Sequence, residues 1–328
     1  MNLKILTAIM VGITSYTCFG EENLYSFGGK NVRYEELSPA SKQDLFKAQK
    51  DYYDQINRIV NSEILESYLN EEAKKTGKER EEVAISLFQI KVSEKEAKAW
   101  YEENRQKLGG RDYASIKKDI TQFLQQSKFE ESRDQFIEEL KTKHKFSLFI
   151  QKPTALTLDI NTQNRPFKGN PSAKVELVEF ADYRCQYCKQ AAGVLKEIAA
   201  EYKDRVKFTF MDYTLSAAGV SAEVAKGALC AWKQDKFWEF HYEAFEQQPK
   251  LNLNSPTEIA QKLKLNRKKF ASCLKAKETA EMVNQSREEG IRIGVRGTPA
   301  IFINGAPVVD GYGKAQLRKA LDEALATP

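Results

Sequence analysis

The sequence predicts two domains of different kind. An all-α domain is expected over residues 21–150, and an α/β domain carrying a helical insertion (215–290) over 174–328. Three observations carry this. Helical spacing, with little Gly or Pro, runs from Glu35 to Lys145. The apolar run Val175–Phe180 leads into Cys185-Gln186-Tyr187-Cys188 and then into the helical-looking stretch Lys189–Tyr202. Far downstream, Gly297-Thr298-Pro299 opens a second apolar run, Ala300–Ile303, closed by Asn304-Gly305. A chain of 328 residues can give each domain its own core.

At the start, Met1–Lys4 is basic and Ile5–Ile13 apolar but too short to span a bilayer, and Ser15–Gly20 is rich in small residues. This pattern reads as a secretory signal peptide over 1–20, cut after Gly20. The rival, a lipoprotein anchored at Cys18, fits Ser15-Tyr16-Thr17 poorly. No later stretch is apolar enough to cross a membrane, so a periplasmic protein is expected. Net charge is +5 with 30% charged residues of mixed sign, which argues against nucleic acid.

In the first half, Gly28-Gly29 signals a turn. Leu45, Tyr52, Ile56, Ile59 and Val60 form one apolar stripe, and Val83, Leu87 and Ile90 a second. Ile116, Ile120 and Phe123 begin a third, while Phe129, Phe136, Ile137 and Leu140 suit a fourth. Gly77 and Gly109-Gly110 separate them, and Ser93–Glu96 has capping-box spacing. Four or five helices are expected, ending in a short strand, Phe146–Ile150. The segment 151–173, with Pro153, Pro166 and Pro171, reads as a linker containing a first strand at Leu156–Ile160.

A strand, a CxxC and a helix in that order suit a redox dithiol. The thiolate is the nucleophile of disulfide exchange, and unpaired N–H groups at a helix start favour negative sulfur. The same motif is half of a zinc site, but a second CxxC is missing. Removing Cys18 leaves Cys230 and Cys273 as the other pair, in the helical-looking segments Ala222–Gln247 and Arg267–Lys275. In an exported chain a bridge between them is favoured over two free buried thiols.

Val175–Cys188, Cys230-Ala231-Trp232 with Phe237-Trp238, and Gly297-Thr298-Pro299 with Asn304-Gly305 together resemble the DsbA-like branch of the thioredoxin superfamily, over residues from about 154 to 328. The resemblance implies an α/β thioredoxin fold with a helical insertion. It implies Cys185 as exposed nucleophile, Cys188 as buried resolving thiol, and a cis-proline at Pro299 that, with Thr298, turns backbone toward an extended client. Gln186 and Tyr187 join them as candidate client contacts. Clients would be unfolded or cysteine-containing exported proteins, and a membrane redox partner would recycle the dithiol. No cofactor is implied beyond the redox-active disulfide.

The family also places a buried acid at Glu179, where a carboxylate of raised pKa would take the proton from Cys188. Strand alternation sets Glu179 on the face of Leu177, opposite Val178 and Phe180. Glu176 and Asp182 are weaker candidates, the latter as cap of the active-site helix. The chain departs from the family's Pro-His dipeptide, having Gln186-Tyr187 instead. Without an imidazole beside Cys185, and with Arg184 as partial compensation, the dithiol should be less oxidising, by roughly 30 mV per unit of thiol pKa. Thr298 and Tyr187 are reminiscent of the isomerase branch.

Val92–Asn104, Ile120–Gln126 and Phe136–Ile150 look like the N-terminal module of SurA-like periplasmic chaperones. That implies a groove holding clients near Cys185, which raises the local thiol concentration. The rival use of these helices is homo-oligomerisation. Elsewhere His144 reads as solvated, and His241 as satisfying a local hydrogen bond. Trp232, Phe237, Trp238, Phe240 and Phe245 read as packing of the insertion. Copper handling lacks a supporting Met or His cluster.

Overall fold

The computed structural model describes residues 23–150, 152–153, 156–216, 218–309 and 311–327. The expected leader, with Cys18, lies outside the described residues. The chain divides into two compact units, one comprising residues up to Gln49 and from Pro153 onward, the other Lys50–Lys152. One boundary falls inside a helix, between Gln49 and Lys50, and the other between Lys152 and Pro153.

In the first unit, β1 (Asn23–Phe27) and β2 (Lys30–Arg33) pair antiparallel across the Gly28-Gly29 turn. Helix α1 (Pro39–Thr76) begins here. Its first turns pack on the segment that precedes Thr298. The Gln43 side-chain amide donates to the Ile293 carbonyl, and Arg296 pairs with Asp44 at 2.6 Å. Gly294, at φ +90°, lies so near Ala40 that a Cβ there would sit 2.5 Å from its Cα. Phe46 joins the core of this unit.

Within Lys50–Lys152, α1 continues and is followed by α2 (Arg80–Leu87), α3 (Glu94–Asn104) and α4 (Tyr113–Lys143). Ser93 caps α3 with the reciprocal Glu96 bond of a capping box. The third and fourth stripes belong to one helix, because no Gly or Pro interrupts Leu124–Lys128. Ala97, Tyr101, Ile116 and Ile120 form a buried cluster, and Phe88 sits edge-on to Phe129 and Phe136. Tyr52 and Ile59 are exposed, so the first stripe is not a continuous core face. The expected strand Phe146–Ile150 does not form. The segment has no strand partner among the described residues, and Phe149 is 98% exposed.

The sheet of the first unit has the order β3-β5-β4-β6-β7: β3 (Phe167–Gly169), β4 (Val175–Ala181), β5 (Val206–Asp212), β6 (Ala300–Ile303) and β7 (Ala306–Pro307). Strands β4 and β5 run parallel and the other pairs antiparallel, with Glu179 between Phe210 and Ile301. The Leu156–Ile160 stretch is not the first strand. It makes a single ladder-like bond, Leu158 N–H to the Gly305 carbonyl (2.9 Å), and buries Leu156 and Leu158 under the sheet. One sheet face packs on α5 (Gln186–Glu201) and α11 (Lys314–Ala326) through Leu177, Ile198, Leu317 and Leu321. The other meets α10 (Lys277–Ile293) through Val178, Phe180 and Ile293.

Between β5 and β6 lie α6 (Val220–Trp232), α7 (Phe237–Glu246), α8 (Ser255–Lys262), α9 (Arg267–Lys275) and then α10. The helical-looking segment Ala222–Gln247 forms α6 and α7, separated by a turn in which Asp235 has φ +58°. Phe237, Phe240 and Phe245 are core residues here, with Trp232 and Trp238 packed against them. Cys230 and Cys273 are bridged, closing 43 residues of chain. Chain entropy alone makes such a loop worth roughly 4 kcal/mol. Replacing both cysteines with Ser should therefore lower the urea midpoint markedly and raise m, because the unfolded chain loses the loop that keeps it compact. An unaltered midpoint would refute this contribution.

Candidate active site

Strand β4 delivers the chain to a turn that Asp182 ties together. Its carboxylate accepts from the Arg184 N–H (2.7 Å), the Leu215 N–H (3.1 Å) and the Ser221 hydroxyl (2.7 Å). The expected helix cap is therefore not Asp182. Cys185 itself is the N-cap of α5, and its sulfur accepts the Cys188 N–H at 3.4 Å. The Cys185 thiol donates to the Thr298 carbonyl at 3.2 Å, across 113 residues of sequence. Thr298–Pro299 is a cis peptide at the entrance to β6.

Both thiols are free. Cys185 is half-buried and Cys188 buried, in the core shared with the insertion. Gln186 is exposed, Tyr187 is 63% exposed, and Thr298 and Pro299 are half-buried. An exposed rim thus surrounds one reachable sulfur. Burial, more than the nearby Glu179 charge, pushes the Cys188 thiol up strongly, so it gives up its proton only with help.

The buried carboxyl whose charge Cys188 feels is Glu179, on β4. Glu179 is 5% exposed, and its Oε1 has no hydrogen-bond partner. Burial raises its carboxyl to about 8, against the opposing pull of Lys168. Glu179 borders a cavity of ≈ 20 Å³ with Lys168, Lys196, Trp238, His241 and Tyr242, room for about one water. Lys168 is itself lowered to about 8 by burial, donates to the Tyr242 hydroxyl, and lies 4.4 Å from the Trp238 ring centre. Burial holds His241 neutral, well below the usual imidazole range, and its Nδ1 shares a 3.2 Å hydrogen bond with the Tyr183 hydroxyl. Glu176 lies apart, accepting from Thr209 and paired with Lys207. His144 is exposed. Among the described residues no cluster of His, Cys, Asp or Glu could hold a metal.

Sequence reasoning missed four residues. Lys168 sat in what read as linker, and Tyr242 in what read as packing. Gln248, before a second cis peptide at Pro249, donates through its side chain to the Tyr183 and Cys185 carbonyls. Tyr312 donates to the Gln190 side chain (3.2 Å); burial, then the charges of Cys185, Cys188 and Tyr187, raises its phenol. None of these carries a local motif; a Gln-Pro pair at 248–249 was the one available signal.

Residues 161–323 match the family model described as thioredoxin. Among curated proteins, the chain is 29% identical over 168 residues to the probable disulfide bond formation protein D of Bacillus anthracis, covering 48% of this chain and 76% of that protein. It is also 24% identical over 176 residues to the Na(+)/H(+) antiporter NhaA 1 of Mycolicibacterium gilvum. That match covers 52% of this chain but only 28% of the antiporter, so the chain spans under a third of that relative's length. No helix among the described residues is long and apolar enough to cross a membrane. Among solved structures, the thiol-disulfide exchange protein alpha-DsbA2 of Wolbachia pipientis is 28% identical, with a TM-score of 0.44 and coverage of 49% of this chain and 88% of that one.

Proposed function

We propose that this chain, whose residues 161–323 match the family model described as thioredoxin, is an exported thiol–disulfide interchange protein that forms, isomerises or reduces disulfides in clients. The observation that carries the reading is the half-buried Cys185 sulfur, which meets a helix N–H on one side and the Thr298 carbonyl beside cis-Pro299 on the other. In the reducing direction, the Cys185 thiolate attacks a client disulfide, forming a mixed disulfide and releasing one client thiolate. Cys188 then gives its proton to Glu179 and attacks the Cys185 sulfur, which forms the Cys185–Cys188 disulfide and releases the second client thiolate. Oxidation is the same sequence reversed. Thr298 and Pro299 hold the client as an added strand, with Gln186 and Tyr187 at its rim. A membrane redox partner resets the dithiol, and no other cofactor is needed.

A second reading is a holdase of periplasmic type in which the dithiol is vestigial or regulatory. It is favoured by an open apolar groove of ≈ 450 Å³ in the helical unit, lined by Ala84, Ile85, Phe88, Ile90 and Phe129, with Ile85 70% exposed. The same helices serve the first reading as a client cradle or as a homo-oligomer contact, which light scattering separates. The decisive experiment is insulin reduction together with refolding of a scrambled client, wild type against Cys185→Ser. Loss of both activities is expected in the variant. Client holding with no wild-type redox turnover would leave the holdase.

A further inference from the structure

The geometry points to Gln248 as a positioning residue for the reactive cysteine, acting through backbone carbonyls rather than by touching a client. The inference rests on reading Cys185 as the reactive thiol.

Gln248 follows α7 and lies 63 residues beyond Cys185. Its side-chain amide donates to the Tyr183 carbonyl and, at 3.3 Å, to the Cys185 carbonyl. A side-chain amide carries two N–H groups, and here both meet acceptors on the turn that presents the sulfur. The Cys185 carbonyl also accepts the Lys189 N–H (3.2 Å), the first bond of α5, and Lys189 Nζ reaches back to the Glu246 carbonyl (3.3 Å). The end of α7 therefore grips both sides of the Cys185 turn.

The insertion holds this turn at other points, but deeper. Ser221 and Leu215 bind the Asp182 carboxylate, and His241 meets the Tyr183 hydroxyl. Of these side chains, Gln248 is the one that reaches the Cys185 peptide itself. Two consequences follow for the sulfur. The peptide planes from 185 to 188 are held where the Cys188 N–H meets Sγ. The negative ends of two carbonyl dipoles are also paired with N–H groups. Both effects favour a charged Cys185 sulfur, and both weaken without the amide.

The test uses the full chain, reduced, with the rate of iodoacetamide reaction at Cys185 followed against pH. Gln248→Met keeps the side chain's bulk but donates nothing. Gln248→Glu keeps its length and turns an ionised acceptor toward two carbonyls. Expected are an upward shift of the alkylation midpoint and rates at pH 6.5 lower by about threefold for Met and about tenfold for Glu, a tenfold change being one pKa unit. The glutathione equilibrium should shift the same way, toward the Cys185–Cys188 disulfide. A merely structural role would lower thermal stability and leave both readouts alone, and unshifted profiles in both variants overturn the proposal. Should the Met variant not fold, Gln248→Asn, one methylene too short to reach, replaces it. Alkylation needs no client, so a shifted profile without insulin turnover would uphold this inference while sinking the proposed function. Turnover with an unshifted profile would do the reverse.

Discussion

Cys188→Ser should capture clients covalently. Cys185 in that variant still attacks a client disulfide, but no neighbouring thiol releases the product, so the mixed disulfide accumulates and runs as a discrete band on non-reducing gels. Turnover should fall roughly a thousandfold, since a positioned intramolecular thiol acts at an effective concentration far above any millimolar competitor. The reciprocal variant, Cys185→Ser, should yield no adduct, because the remaining Cys188 sulfur is buried and burial disfavours its thiolate. Adducts carried by Cys188 in that variant would reverse the assignment of the two sulfurs.

Glu179→Gln should separate chemistry from stability. With the carboxyl raised to about 8, the wild-type rate of mixed-disulfide resolution should climb through that pH as the base becomes ionised. The Gln variant should lack this rise and be roughly a hundredfold slower at pH 8, the ordinary weight of a positioned base. Stability should move oppositely. In the unfolded chain the carboxyl ionises near 4.5, but in the fold only near 8. Over that window the folded state keeps a proton that the unfolded state has lost. Its contribution is complete below about 4.5 and gone by about 8, so wild-type stability declines as pH rises. Gln removes that decline and should be the more stable protein at pH 8, by on the order of 3 kcal/mol. Above pH 8 Lys168 enters with the contrary slope, because its folded value is lowered to about 8. Urea melts at pH 5 and pH 8 check the difference. Equal destabilisation at both would show that Glu179 is not a buried, proton-holding group.

Legibility in the sequence followed the range of the interactions concerned. The α/β architecture after an all-helical region was readable because the apolar run Val175–Phe180 and the helical spacing after Cys188 are local signals. The capping box at Ser93 and the break at Gly109-Gly110 are equally local. The strand expected at Phe146–Ile150 failed because a strand needs a neighbour's edge, which composition does not report. Leu156–Ile160 misled differently: its leucines alternate as in a strand, yet they serve to bury side chains under the sheet. In the site, the CxxC and the Thr-Pro pair could be picked out by residue type. Lys168, Tyr242 and Gln248 could not, because their positions depend on how β3 and the insertion fold back on β4 and α5.

The seating of α1 on the approach to Thr298 has a consequence for how the molecule is made. Gln43 and Asp44 find their partners 250 and 252 residues later. Synthesis at about 5–20 residues per second puts roughly 10–50 s between the appearance of the two sides. During that interval the cluster that receives Phe46 lacks Ile293, Val295 and Phe302, whereas the helices of Lys50–Lys152 already have their own partners. Maturation should thus proceed from the middle of the chain outward, with the earliest-made stretch of the first unit the last to settle.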